Sequence, residues 1–155
     1  RSKMKLTDLL RPNLIAVNVH VKDWQEAVRE SGRLLVEDQA VEPRFVDAMI
    51  EVVKEFGPYI VLAPGFAMPH AKAEAGCLKT SMSLITLTEP VEFGNPENDP
   101  VYVVAALTAK DHNEHIGALS QLADVLSNDT VVDELAAANS VEEILAIVNS
   151  YSEEN

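Results

Sequence analysis

Four histidines, His20, His70, His112 and His115, are the side chains of this sequence that most readily change charge or attack an electrophile near neutral pH. His70 is set apart by its surroundings, Leu62-Ala63-Pro64-Gly65-Phe66-Ala67-Met68-Pro69-His70-Ala71-Lys72. Each proline fixes its own φ, removes a donor and pushes the preceding residue towards extended backbone. Gly65 permits a positive φ or a close backbone approach. The stretch predicts a stiff extended segment, bent at its start, with His70 just past its end. Such a segment holds an imidazole at a surface in one orientation. A plain loop histidine is the alternative.

His112 and His115 flank the expected start of a helix capped by Asn113. A helix N-terminus presents unpaired N–H groups and a positive dipole end, so it favours an anion and biases an imidazole there towards its neutral form. His115 precedes Ile116 and is expected to lean towards the domain body. His112 is expected just outside the helix, and wetter. His20 falls at a strand end and reads as surface. A stiffly held imidazole and a second one at a helix start suit a group that becomes anionic when attached, and phosphate is the obvious candidate. A neutral imidazole nitrogen attacks phosphorus competently, provided the other ring nitrogen has a partner that fixes the tautomer. Spacing alone does not bring His70 and His115 together.

Other chemistries fit less well. The spacing His112-x-x-His115 straddles a helix start and matches no standard zinc pattern, so no metal is expected. No Gly-x-Ser-x-Gly elbow, Walker loop or Gly-x-Gly-x-x-Gly is present. Cys77, a lone cysteine, reads as a small apolar residue rather than a nucleophile.

The elements that must position these residues are legible in outline. A helical turn over Leu6–Leu10 precedes a strand over Leu14–Val19, rich in β-branched residues. Asp23 with Glu26 caps a helix whose apolar residues, Trp24, Ala27, Val28, Ser31, Leu34 and Leu35, follow the helical period. Pro43 opens a second helix with Phe45, Val46, Met49, Ile50, Val53 and Phe56 on its apolar face, stopped by Gly57-Pro58. Tyr59–Leu62 is a strand-like lead into the histidine motif. Thr80–Thr88 reads as a strand and Glu89–Pro100, rich in Pro, Gly and Asn, as loop. Val101–Leu107 reads as a central strand buried on both faces. The helix after it buries Ile116, Leu119, Leu122, Ala123 and Leu126. A short helix from Asp129 or Thr130 follows, then one with a Ser140/Glu143 capping box. Helices before, between and after strands predict a three-layer α/β domain over residues 4–150. Residues 1–3 read as an N-terminal remnant and 151–155 as a frayed tail.

Composition narrows the function classes. The 155 residues are 47% apolar and 24% charged, an ordinary globular balance for one domain. With 25 acidic and 12 basic residues the net charge is −13, which argues against nucleic acid and anionic membranes and suits a partner with a basic docking face. One cysteine permits no internal disulfide and suggests a reducing compartment. No apolar run approaches the ~20 residues that span a bilayer. With no visible signal peptide, a cytoplasmic protein is expected.

Gly65-Phe66-Ala67-Met68-Pro69-His70-Ala71-Lys72 resembles the phosphorylation-site motif of enzyme IIA domains of the mannitol/fructose class, part of the bacterial phosphoenolpyruvate-dependent sugar phosphotransferase system (PTS). Asn113-Glu114-His115-Ile116 resembles the segment that carries the second active-site histidine of that family. The likeness runs from the opening helix to the Ser140-x-x-Glu143 helix. Within the class, Gly57-Pro58-Tyr59-Ile60-Val61-Leu62-Ala63-Pro64-Gly65, Glu42-Pro43-Arg44-Phe45 and Asn98-Asp99-Pro100 look like the ascorbate-type subgroup.

The resemblance implies a phosphocarrier with a mixed sheet and helices on both sides. His70 would accept a phosphoryl group from phospho-HPr on Nε2 and pass it to a cysteine of a IIB component, which energises a membrane IIC permease. His115 would orient and stabilise phospho-His70, Gly65 and Pro69 would set the backbone, and no cofactor is implied. Mannitol-type domains carry an arginine on the helix before the site. The matching position here is about Val52, leaving Lys72 or backbone N–H groups to hold the phosphate. Phe66, Met68 and Leu78 are candidates for an apolar docking ring. A regulatory IIA-like role, another polyol or sugar as transported substrate, and a homo-dimer are also compatible with the resemblance.

Overall fold

The computed structural model describes residues 5–152. The expected remnant at 1–3 and positions 153–155 of the expected frayed tail lie outside them. Helix α1 (Leu6–Leu9) and a tight turn at Pro12–Leu14 lead into β1 (Ile15–Val19). Helix α2 (Trp24–Glu37) starts where the Asp23 carboxylate accepts the Glu26 N–H at 2.8 Å, and it buries Ala27, Val28, Ser31, Leu34 and Leu35. Helix α3 (Arg44–Phe56) buries Phe45, Met49, Ile50 and Val53 and ends at Gly57, whose φ is +87°. Phe56, expected on that buried face, is 65% exposed. It is the last residue of the helix, next to the Gly57 stop.

The sheet is mixed and ordered β1-β5-β6-β3-β2. It comprises β1, β2 (Val61–Ala63), β3 (Phe66–Ala67), β5 (Leu84–Val91) and β6 (Val101–Val104). Strands β1/β5 and β3/β6 are parallel, while β5/β6 and β2/β3 are antiparallel. A second, two-stranded sheet pairs β4 (Ser81–Met82) with β7 (Leu107–Thr108). The two long strands expected at 80–88 and 101–107 are therefore each broken. The breaks face one another: Ser83 donates its N–H to the Ala106 carbonyl at 2.9 Å, and its hydroxyl reaches the Ser31 carbonyl of α2 at 2.8 Å. Strand β5 also runs further than expected, through Pro90 to Val91. Pro90 lies between Thr86 and Val91, where the register to β6 shifts, and beyond the last β1 pair at Leu87, so no ladder needs its missing N–H. The strand buried on both faces is β5 over Leu84–Leu87, whereas Tyr102 of β6 is 41% exposed.

Helices cover both faces of the sheet. Helix α2 packs on β5 and β6 and carries α3. On the other face α5 (Val131–Ala137) meets β5 and β6, and α6 (Val141–Ser152) meets β1 and packs with α4 (His112–Leu126). The Ser140 hydroxyl accepts the Glu143 N–H at 3.1 Å, the capping read from sequence. Helix α6 continues through Ser152, so the first two residues of the segment expected as tail are helical. The Tyr151 hydroxyl donates to Glu134 at 2.5 Å. One apolar cluster runs from Leu6 to Val148.

Two details of α4 differ from expectation. Its cap is Asp111, whose carboxylate accepts the Glu114 N–H at 2.8 Å, so the helix opens at His112 and Asn113 lies inside it. Its buried residues are Ala118, Leu122 and Val125, while Ile116 is 49% exposed and Ala123 faces solvent. The helix is apolar over a wide arc. Its seating against α6 and α1, rather than its own periodicity, decides which part is covered.

Candidate functional site

The bend before the histidine is fixed from both sides. Gly65 has φ +81°, its N–H reaches the Asn98 carbonyl at 2.9 Å, and its own carbonyl accepts the N–H groups of Tyr102 and Val103 at 2.9 and 3.1 Å. The loop supplying Asn98 is itself organised by the Asp99 carboxylate, which accepts the N–H groups of Phe93, Gly94 and Asn95. From Gly65 the chain runs alongside β6 and β7. The Ala67 carbonyl takes the Ala105 N–H and the Pro69 carbonyl takes the Leu107 N–H, both at 2.9 Å, and His70 forms a parallel bridge with Leu107. The stiff segment is thus an inner strand, flanked by Ile60 and β2 on one side and by β6 and β7 on the other, that ends at His70.

His70 is half-buried, with its two ring nitrogens in different settings. Nδ1 lies 3.0 Å from the Met68 carbonyl. A carbonyl only accepts, so Nδ1 carries the hydrogen. In the neutral ring Nε2 then holds the lone pair, and it faces an open cleft with the Tyr59 hydroxyl 3.3 Å away. The Tyr59 ring stands edge-on to the imidazole at 84°.

Helix α4 delivers the second imidazole. The ring centres of His70 and His115 are 5.7 Å apart. The pKa of His115 is lowered, chiefly by burial and further by the proximity of His70 and His112. His115 is therefore neutral at neutral pH and retains one N–H donor. His112, expected outside the helix, is its first residue and is exposed, as expected for the wetter of the two. The helix start is tied down by Thr80: its hydroxyl oxygen accepts the Lys110 N–H at 3.0 Å, and it donates to the Glu114 carboxylate.

The cleft has a volume of about 600 Å³ and is lined by His70, His115, Tyr59, Lys72, Lys110 and Val52 among others. Lys72 and Lys110 are exposed at its rim, and neither makes an ion pair among the described residues. Val52 and the adjacent Phe56 make one wall apolar. The arrangement is an oriented nitrogen nucleophile, a neutral imidazole donor and two unpaired cations around an open, water-accessible space. That set suits acceptance and release of an anionic group at Nε2.

The structure gathers His70, His115 and Lys72 into this cleft and places Gly65 and Pro69 behind it as backbone supports. It removes Phe66 and Met68 from the expected docking ring: each is 1% exposed and belongs to the core, because β3 lies inside the sheet between β2 and β6. Leu78 is 52% exposed but does not line the cleft. His20 is exposed and does not line the cleft, and Cys77 is half-buried with its thiol directed at the Lys79 carbonyl. Among the described residues, no three His, Cys, Asp or Glu side chains gather as metal ligands. Tyr59 and Lys110 escaped the sequence reading. Their only signals were position, at the entry to the motif strand and immediately before the Asp111 cap.

Comparison with known proteins places the chain in a family. Residues 8–151 match the family "phosphoenolpyruvate-dependent sugar phosphotransferase system, EIIA 2". The ascorbate-specific PTS system EIIA component of Escherichia coli (strain K12) is 40% identical over 149 residues, covering 94% of this chain and 96% of that protein. A PTS IIA chain (PtxA) of Streptococcus mutans superposes with a TM-score of 0.87 at 36% identity, covering 97% of this chain and 96% of its own. Enzyme IIAMtl of Escherichia coli, solved in complex with phosphorylated enzyme IIBMtl, superposes with a TM-score of 0.80 at 30% identity, covering 92% and 99%. With the match running almost end to end, this chain belongs to the EIIA type 2 family of the phosphoenolpyruvate-dependent sugar phosphotransferase system.

Proposed function

We propose that this protein is the IIA phosphocarrier of an ascorbate-type PTS, acting as one domain over residues 4–150. His70 accepts the phosphoryl group of phospho-HPr on Nε2 and donates it to a cysteine of the cognate IIB component, which serves a membrane IIC permease. The observation that carries this reading is the fixed tautomer of His70: Nδ1–H is held by the Met68 carbonyl, and Nε2 faces the cleft shared with His115.

The transfer is an in-line displacement. The Nε2 lone pair forms the new N–P bond as the N–P bond of the donor histidine breaks, and that electron pair returns to the donor ring. The Nδ1 proton stays on His70, where the Met68 carbonyl supports the positive ring. His115 orients and stabilises the phosphorylated imidazole, and Lys72 offsets charge on the phosphoryl oxygens. No cofactor takes part, since the phosphoryl group arrives on HPr.

No helix among the described residues is long and apolar enough to cross a membrane. A cytoplasmic location follows from the proposed exchange with HPr and IIB. The net charge of −13 suits docking onto basic partner faces. Ascorbate is assigned as the transported substrate because the curated relatives at about 40% identity carry that specificity in their names. A homo-dimer compatible with this function leaves the cleft open.

The test is incubation with phosphoenolpyruvate, enzyme I and HPr. Wild type acquires an acid-labile, base-stable phosphoryl group and His70→Ala acquires none. Equal labelling of His70→Ala would remove His70 from the reaction.

A further inference from the structure

A phosphoryl group on Nε2 brings anionic oxygens into a cleft whose α3 wall, Val52 and Phe56, carries no side-chain donor. One donor already touches the reacting atom. The Tyr59 hydroxyl lies 3.3 Å from His70 Nε2. Since Nδ1 keeps its hydrogen for the Met68 carbonyl, the neutral imidazole offers only a lone pair at Nε2, and the Tyr59 O–H is the donor of that bond. The bond therefore covers the very electron pair that must attack phosphorus.

We infer that Tyr59 is a further catalytic residue of the transfer: its O–H covers Nε2 in the resting protein and passes to a phosphoryl oxygen as the N–P bond forms. The inference rests on His70 being the phosphoryl acceptor. Atoms and charge balance without a proton transfer. The Nε2 pair moves from the Tyr59 hydrogen bond into the N–P bond, the donor ring recovers its own pair, and Tyr59 keeps its proton and changes acceptor.

The exchange is favourable because a hydrogen bond to an anionic oxygen is stronger than one to a neutral ring nitrogen. It is also near at hand. An oxygen of a group attached at Nε2 lies beside the hydroxyl, which already sits against that nitrogen. Tyr59 is 51% exposed, so its ring is not locked in the core and follows a small rotation. The edge-on contact with the imidazole, at 5.8 Å between ring centres, keeps the hydroxyl aimed at the site. A donor already beside the atom where the new bond forms, and free to follow the phosphoryl oxygen, stabilises the transition state more than the ground state.

Tyr59→Phe isolates the hydroxyl, because it retains the ring, its edge contact and its apolar surface. The experiment uses the full chain with enzyme I, HPr and labelled phosphoenolpyruvate. It measures kcat and KM towards phospho-HPr and the half-life of the isolated phosphoprotein, with circular dichroism to verify the fold. The expected result is a kcat about tenfold lower, the scale of one hydrogen bond to a charged group, with unchanged KM and a shortened half-life. Wild-type kcat and half-life would overturn the inference. A change in KM alone would assign the hydroxyl to docking, and a faster reaction would reduce it to a mask; either result overturns it. Failure of the underlying reading looks different: wild type then does not label, or His70→Ala labels as well.

Discussion

The imidazoles of His70 and His115 lie 5.7 Å apart between ring centres, with planes inclined at 51°, so they flank a common space rather than stack. One comes from the end of the strand segment that begins at β3 and the other from the first turns of α4. His115→Ala is expected to keep the fold and to slow phosphoryl transfer or shorten the life of the phosphoprotein. Unchanged kinetics would exclude His115 from the site.

The same residue makes stability depend on pH. The folded pKa of His115 lies below its ordinary value of 6.5, so the unfolded chain binds more protons and stability rises with pH. The contribution is complete above about 6.5 and is lost as pH falls through the depressed value. Between about pH 7.5 and about pH 5.5, the urea midpoint of wild type is expected to drop more than that of His115→Gln. Parallel profiles would show that another group governs the acid limb.

Thr80 holds both residues that frame the start of α4, through the Lys110 N–H and the Glu114 carboxylate. Thr80→Val keeps the branched shape and removes the hydroxyl. A loss of about 1–2 kcal/mol in urea unfolding and a slower transfer are expected, because His115 rides on that turn. Thr80→Ser is expected to restore both. Rescue of stability without rescue of transfer would separate α4 anchoring from the chemistry.

Gly65 sits at φ +81°, and a Cβ there would meet Val132 Cγ1 at 3.3 Å. Gly65→Ala is expected to lose about 1–2 kcal/mol from the left-handed backbone alone. Transfer should fall with it, since the carbonyl and N–H of Gly65 set the path of the segment to His70. A variant of wild-type stability would show that the bend relaxes without strain.

Phe66 and Leu78 should separate cleanly by denaturation. Phe66→Ala opens a hole in the core and is expected to lose about 3–5 kcal/mol. Leu78→Ala, half out in solvent, is expected to change stability by no more than about 0.5 kcal/mol. A mild effect at Phe66 would mean that β3 repacks, contrary to its burial between β2 and β6.

Much of the site was legible because its causes are local. Proline and glycine act on their own φ and on their neighbours, so the stiff bend ending at His70 follows from residues 62–72 alone. The Asp23 and Ser140 caps also act within one helical turn. The amphipathic faces of α2 and most of α3 follow the helical period for the same reason.

What the sequence could not decide depends on partners distant in the chain. Asp111 and Asn113 are both good caps, and only the seating of α4 beside Thr80 selects Asp111. Val101–Leu107 reads as one apolar strand, but Ser83 opposite Ala106 divides it, since a shared kink belongs to two strands at once. Phe66 and Met68 looked like docking residues until β6 and β2 enclosed them. By itself the sequence determined which imidazole is held stiffly and the chemistry it suits. Only the tertiary structure decided which ring nitrogen is free, that His115 and Lys110 line the same cleft, and that Tyr59 already touches it, because these relationships arise where separate elements meet.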